Sequence, residues 1–137
     1  MPGRLFQSKW TAAGWTIIIF ILMILPPSRI PHQGLFGIKH LDKLVHMILF
    51  GGFVWLWNYA LKSSMEKPEG SGILARLVLI SAAYGIAMEF VQYFFTNRDF
   101  DIWDIAADIT GAVLAWIWIV KWGKKVSPYG NRGRNQN

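Results

Sequence analysis

The sequence predicts an all-α, polytopic membrane protein built as a four-transmembrane-helix antiparallel bundle. Hydrophobic residues make up 53% of the 137 residues and charged residues only 16%, which is more apolar than an ordinary soluble domain. The apolar residues gather in four segments separated by polar or Pro/Gly-rich linkers. Residues 11–25 and 109–120 contain no charged side chain, whereas a soluble bundle keeps a polar stripe along every helix.

The first segment, 10–25, reads WTAAGWTIIIFILMIL and stops at Pro26-Pro27. It is slightly short against the ~20 residues of a membrane span. Arg4 and Lys9 precede it as in a signal peptide, but Pro26, Pro27, Ser28 and Arg29 follow it in place of a small-residue cleavage site, so it reads as an uncleaved anchor. The second segment, 44–61, has Asp42 and Lys43 at its mouth and His46 inside. Its Gly51-Gly52 pair permits close helix packing in a membrane. The third, 73–95, carries Arg76 near its start and Glu89 and Gln92 near its end. The fourth, 102–120, opens with Asp104 and Asp108. Residues 1–122 thus form one membrane domain. Residues 123–137 form a basic tail too poor in apolar residues to fold, expected to be disordered in the cytoplasm beside anionic lipid.

The chain has no Cys, which excludes disulfides and thiolate metal sites. The net charge of +6 does not point to nucleic acid, because the basic residues sit at the chain ends and between the apolar segments. Arg4, Lys9, Lys62, Lys67, Arg76 and five residues of 121–134 fall on one side, ten in all, against Arg29, Lys39, Lys43 and Arg98 on the other. The positive-inside rule then places both termini in the cytoplasm.

This topology brings ionisable groups together. The second helix starts, the third ends and the fourth starts on the outer side. Glu89 lies about 9 Å below the end of its helix, and Asp108 about 9 Å below the start of the next. Asp42 and His46 are four residues apart, Glu89 and Gln92 three, and Asp101, Asp104 and Asp108 three and four, so each helix shows one polar face at its outer end. Turning these faces toward one another is the cheapest arrangement in lipid. Plainer readings stand beside this one. Asp42 and Asp101 also read as helix N-caps, Lys43 and Arg98 as residues near lipid phosphate, Arg76 as snorkelling to the interface, His46 as a satisfied buried histidine, and Trp55, Trp57, Trp116, Trp118 and Trp122 as packing or an interfacial belt. Glu89, Asp104 and Asp108 are harder to reduce to structure. Acids at one depth repel and need a cation, a metal or protons.

The stretches DKLVHMILFGGF (42–53), YGIAMEFVQYFFTNRDFDIWD (84–104) and DITGAVLA (108–115) resemble the VanZ-like family. The residues that carry the likeness are Asp42, Lys43, His46, Gly85, Glu89, Gln92, Arg98, Asp101, Asp104, Asp108 and Gly111, and the likeness spans the second to fourth helices. The family often has Asn where this chain has Asp108. The resemblance implies a multi-pass protein of the bacterial cytoplasmic membrane and a link to low-level resistance to teicoplanin. That glycopeptide carries a lipid tail and acts at the outer leaflet, the compartment the polar layer faces.

Two functions are therefore expected to compete. In the first, Asp42, Lys43, His46, Glu89, Gln92, Arg98, Asp101, Asp104 and Asp108 bind a membrane lipid head group, a lipid-linked cell-wall precursor or a lipoglycopeptide. Lys43, Arg98 and His46 would then meet phosphate, and the acids would meet amines or hydroxyls. In the second, His46 and Glu89 act as acid and base of an intramembrane enzyme, or join Asp104 and Asp108 around a divalent metal. No HExxH, nucleophile–base motif or phosphate-binding loop is present, and no cofactor beyond such a metal is expected. An ion pathway ranks last, because the acids of the spans all lie in the outer half.

Overall fold

The structure, a computed structural model, describes residues 8–25, 41–64 and 71–122. The remaining linker residues and the basic tail lie outside the described residues. Four helices follow in order: α1 (Lys9–Ile24), α2 (Leu41–Ser64), α3 (Ser71–Phe95) and α4 (Ile102–Trp122). No strand occurs among the described residues. The segments 41–62, 72–95 and 102–122 are long and apolar enough to cross a membrane, and α1 is a shorter apolar helix of 16 residues. At 1.5 Å per residue α1 is about 24 Å long, against a hydrocarbon core of about 30 Å.

The helix ends follow local chemistry. Ser8 caps α1, its side-chain oxygen accepting the Trp10 N–H at 3.2 Å. Leu25 turns to φ −64°, ψ 126°, the extended conformation favoured before a proline, here Pro26. At the end of α3 the Thr96 hydroxyl and N–H both donate to the Gln92 carbonyl, at 2.7 and 3.0 Å. Asn97 then takes a left-handed φ of 53°, a conformation asparagine tolerates after a helix. Asp101 opens α4 four residues later, accepting the Trp103 N–H at 2.8 Å.

The second helix starts earlier than its apolar pattern suggests. Helix α2 begins at Leu41, so Asp42 lies in its first turn and is not its N-cap. There its charge complements the positive end of the helix dipole. Asp101 does serve as the cap of α4.

Side-chain pairings give the helix directions. Lys43 meets Asp104, His46 meets Asp108, and Gly51 faces Gly111, so α2 and α4 run parallel. Glu89 meets Asp101 while Gly85 faces Asp108, so α3 runs against α4. Thr16 meets Tyr84 and Met23 meets Gln92, so α1 runs with α3. Consecutive helices therefore alternate in direction, yet the most extensive contact joins the parallel pair α2 and α4. Small residues permit that contact. A Cβ on Gly111 would overlap the Met47 backbone, and one on Gly51 would stand 3.0 Å from the Gly111 carbonyl oxygen. The core between the helices is Ile19, Phe50, Val54, Leu77, Met88 and Ala112. Outward, large apolar side chains such as Ile17, Ile48, Leu79, Leu114 and Trp118 are exposed, as a lipid-facing surface requires.

Indole and phenol groups anchor α1. Trp15 Nε1 donates to the Leu49 carbonyl at 2.9 Å, Trp57 Nε1 to the Thr16 hydroxyl at 3.0 Å, and Tyr84 to the Thr16 carbonyl at 3.1 Å. Trp57 is thus more than packing: it ties α2 to α1. Trp116, Trp118 and Trp122 are exposed on α4, consistent with an interfacial belt.

Gly111→Ala tests the α2–α4 approach. Alanine is the better helix former, so a loss of about 1–3 kcal/mol from overpacking reads the close contact directly. Gly14→Ala, whose added Cβ meets nothing within 4 Å, is expected to leave stability equal or higher. Denaturant unfolding in mild-detergent micelles checks both.

Candidate functional site

The polar ends of α2, α3 and α4 meet in one cluster with two levels. At the upper level Lys43 Nζ donates to Asp101 Oδ2 and to Asp104 Oδ1, each at 2.7 Å. It also stands 3.5 Å from Asp42 Oδ2. The geometry follows from sequence spacing. Asp104 lies one turn beyond the Asp101 cap, so both carboxylates flank the same point. The long Lys43 side chain, 24% exposed, reaches that point from the first turn of α2. Short charge-assisted hydrogen bonds to two carboxylates are among the stronger polar links a helix pair can form. The Lys43 ammonium, helped by the Trp103 N–H, holds the Asp101 carboxyl below the usual carboxylate range.

The lower level is buried. His46 lies one turn after Lys43, and its Nδ1 is 2.9 Å from Asp108 Oδ1. Its Nε2 is 3.7 Å from Asp104 Oδ2, too long for a hydrogen bond. With Asp108 ionised its carboxylate accepts from Nδ1–H, and in the neutral imidazole so oriented Nε2 carries the lone pair. Phe50 stacks on the imidazole at a centroid distance of 6.5 Å. Asp108 fits under α3 because position 85 is glycine; a Cβ there would sit 2.5 Å from Asp108 Oδ2.

Glu89 comes from α3 and is 1% exposed. Its Oε2 accepts the backbone N–H of Asp101 at 3.0 Å, so it also braces the start of α4. Its Oε1 is buried and has no hydrogen-bond partner. One Glu89 oxygen, one His46 nitrogen and one Asp104 oxygen all lie within 4.8 Å of one another.

Lys43, His46, Glu89, Asp101, Asp104 and Asp108 are therefore brought together, with Asp42 at the rim. Gln92 is not part of the cluster. It is buried, but its amide donates to the Met23 carbonyl at 3.0 Å and approaches Met23 Sδ at 3.3 Å, so it fastens α1 to α3. Arg98 lies in the α3–α4 turn and, among the described residues, forms no ion pair with the cluster. Lys43 is engaged by Asp101 and Asp104, not by Glu89. Sequence reasoning missed Asn58 and Ser81, both buried with unpartnered polar atoms. Their only signal is a lone polar residue inside an apolar run.

The cluster carries an excess of acid. Lys43 pairs with Asp101 and Asp104 and stands near Asp42, whereas Glu89 and Asp108 have no Lys or Arg ion-pair partner among the described residues. What the cluster lacks is positive charge and hydrogen-bond donors, and the buried Glu89 Oε1 localises that lack.

Two stability outcomes follow. Lys43→Met strips Asp104 of its cation and is expected to cost about 3 kcal/mol, the low end for a broken buried pair, since Lys43 keeps some exposure. Asp42→Asn, at a half-exposed rim position, is expected to stay within about 0.5 kcal/mol. Both are read by denaturant unfolding in micelles. The Lys43–Asp101 pair also has a defined pH window. A depressed native carboxylate stabilises above its unfolded value of about 3.9 and loses that contribution as pH falls through the native value. The Tm difference between wild type and Asp101→Asn is expected to hold from pH 7 to about pH 4 and to shrink below it.

The VanZ/LLP1 family profile matches residues 3–123 of the chain. No curated protein and no solved structure matches it at significant similarity.

Proposed function

The chain belongs to the VanZ/LLP1 family, and from that premise we propose that its polar cluster binds the head group of a membrane amphiphile at the outer face of the bacterial cytoplasmic membrane. Four spans with both termini in the cytoplasm put the cluster there. The supporting asymmetry is ten Lys and Arg on one side against four on the other. Helix α1 makes the fourth crossing, its short length met by tilt or local thinning of the bilayer.

One observation carries the reading: a buried carboxylate, Glu89, keeps an oxygen without a donor at the meeting point of three charged helix ends. An intramembrane ionisable group left unsatisfied by the protein is by default a functional-site hypothesis. The charge balance refines the ligand class. Lys43 already donates to two carboxylates, so a bare phosphate would have to compete for it. Amine- or hydroxyl-bearing head groups meet the acids directly. Lipid-linked cell-wall precursors and lipoglycopeptides such as teicoplanin present such groups on a membrane-anchored tail, which agrees with the resistance the family resemblance implies.

The second reading, an intramembrane enzyme acting on an envelope lipid, has one specific observation in its favour. Asp108 holds His46 by Nδ1, as an orienting carboxylate holds a general base. Arg98 gives no support to that reading, since among the described residues it forms no ion pair with the cluster.

Antibiotic susceptibility of a bacterial host tests the primary reading, comparing wild type with Glu89→Gln at membrane levels matched by blot. Wild type is expected to raise teicoplanin tolerance more than vancomycin tolerance, and Glu89→Gln is expected to lose the gain. Equal protection by Glu89→Gln would remove the carboxylate from the function.

A further inference from the structure

The lower level of the cluster has the construction of a divalent-metal site. His46, Glu89 and Asp104 each offer a donor atom, all within 4.8 Å of one another and all buried. A four-coordinate ion with bonds of about 2.0–2.1 Å places neighbouring donors about 3.4 Å apart. The His46 Nε2 to Asp104 Oδ2 distance of 3.7 Å is close to that and too long for a hydrogen bond.

The surroundings of these donors fit the same assignment. Metal-bound imidazoles give their other ring nitrogen to a carboxylate or carbonyl, which fixes the tautomer. Asp108 Oδ1 takes that place on His46 Nδ1 at 2.9 Å. The remaining oxygen of Asp104 is held by Lys43 at 2.7 Å, so this carboxylate too is oriented from behind. Independently of those bonds, the Glu89 carboxylate is 1% exposed and its Oε1 has no partner. A buried anionic oxygen without a donor calls for a proton or a cation.

We propose that His46, Glu89 and Asp104 bind one divalent transition-metal ion of the zinc type, with Asp108 orienting His46. A nitrogen plus two carboxylates suits Zn²⁺ better than Mg²⁺ or Ca²⁺, which favour all-oxygen shells. Three protein ligands would leave a fourth position for water or a ligand. The assignment shares side chains with the head-group reading but does not depend on it, because metal content is measured with no lipid ligand or antibiotic present.

The test uses the full chain purified in mild detergent, incubated with Zn(II), desalted and assayed by mass spectrometry of the metal. Wild type and Gly14→Ala are expected to retain about one zinc per chain. Glu89→Gln and His46→Gln are expected to lose it, and Asp108→Asn to weaken affinity about 10–100-fold. Wild type retaining no more zinc than His46→Gln, with both eluting as folded protein, would overturn the proposal. Should His46→Gln fail to fold, X-ray absorption of zinc-loaded wild type decides. One imidazole nitrogen with oxygen neighbours is expected, and an all-oxygen shell would overturn the site. A susceptibility difference that persists in a zinc-free protein would leave the head-group reading standing and remove only the metal.

Discussion

A carboxylate placed inside a membrane helix must find a cation, a proton or a set of donors, because lipid supplies none of them. Lys43 answers that requirement for Asp101 and Asp104, and much of the fold is arranged so that it can. The link joins the start of α2 to the start of α4, two helices running in the same direction with α3 between them in sequence. Their charged ends meet only if the backbones approach closely, and Gly51 and Gly111 allow that approach. The glycine contact and the ion pair are thus one device: small residues bring the helices together, and charge fixes their register. Gly85 does the same for α3, leaving room for Asp108 beneath it.

Within the cluster the division of labour is physical. The rim groups, Asp42, Lys43 and Asp101, retain exposure, and Lys43 pairs with both acids. The floor groups, His46, Glu89, Asp104 and Asp108, are buried and together have fewer donors than acceptors. Most buried acceptors in folded proteins are filled. Replacement of such a network by packed apolar residues is often neutral or favourable to stability. An acidic floor in a membrane domain therefore fits the proposal that it binds a ligand.

Much of this was legible in the sequence, for identifiable reasons. Charge-free runs revealed the apolar helices, and the i, i+3 and i, i+4 spacing of Asp101, Asp104 and Asp108 revealed a shared face. Alternating topology then brought Lys43, His46 and Glu89 to the same end. Spacing alone misled at Gln92, which shares a face with Glu89 but bonds to Met23 of α1; a helix face can divide between two neighbours. Arg98 was placed by charge type, yet among the described residues it forms no ion pair with the cluster. The choice of Lys43 partners also lay beyond the pattern, since it depends on the Asp101 cap setting the start of α4. The roles of Trp15, Trp57 and Tyr84 as polar anchors of α1 were hidden because an aromatic residue reads as packing until its N–H or O–H finds a partner.

The claim at the centre is that Glu89 is kept for a ligand and not for the fold. Glu89→Gln tests it most directly, by denaturant unfolding in metal-depleted micelles. Glutamine retains an oxygen for the Asp101 N–H and replaces the donor-less Oε1 with an amide that can donate to the neighbouring acids. The account predicts that the variant is as stable as wild type or more stable. A loss of about 2 kcal/mol or more, the scale of a broken buried hydrogen-bond network, would show that the carboxylate holds the fold together and would contradict the account.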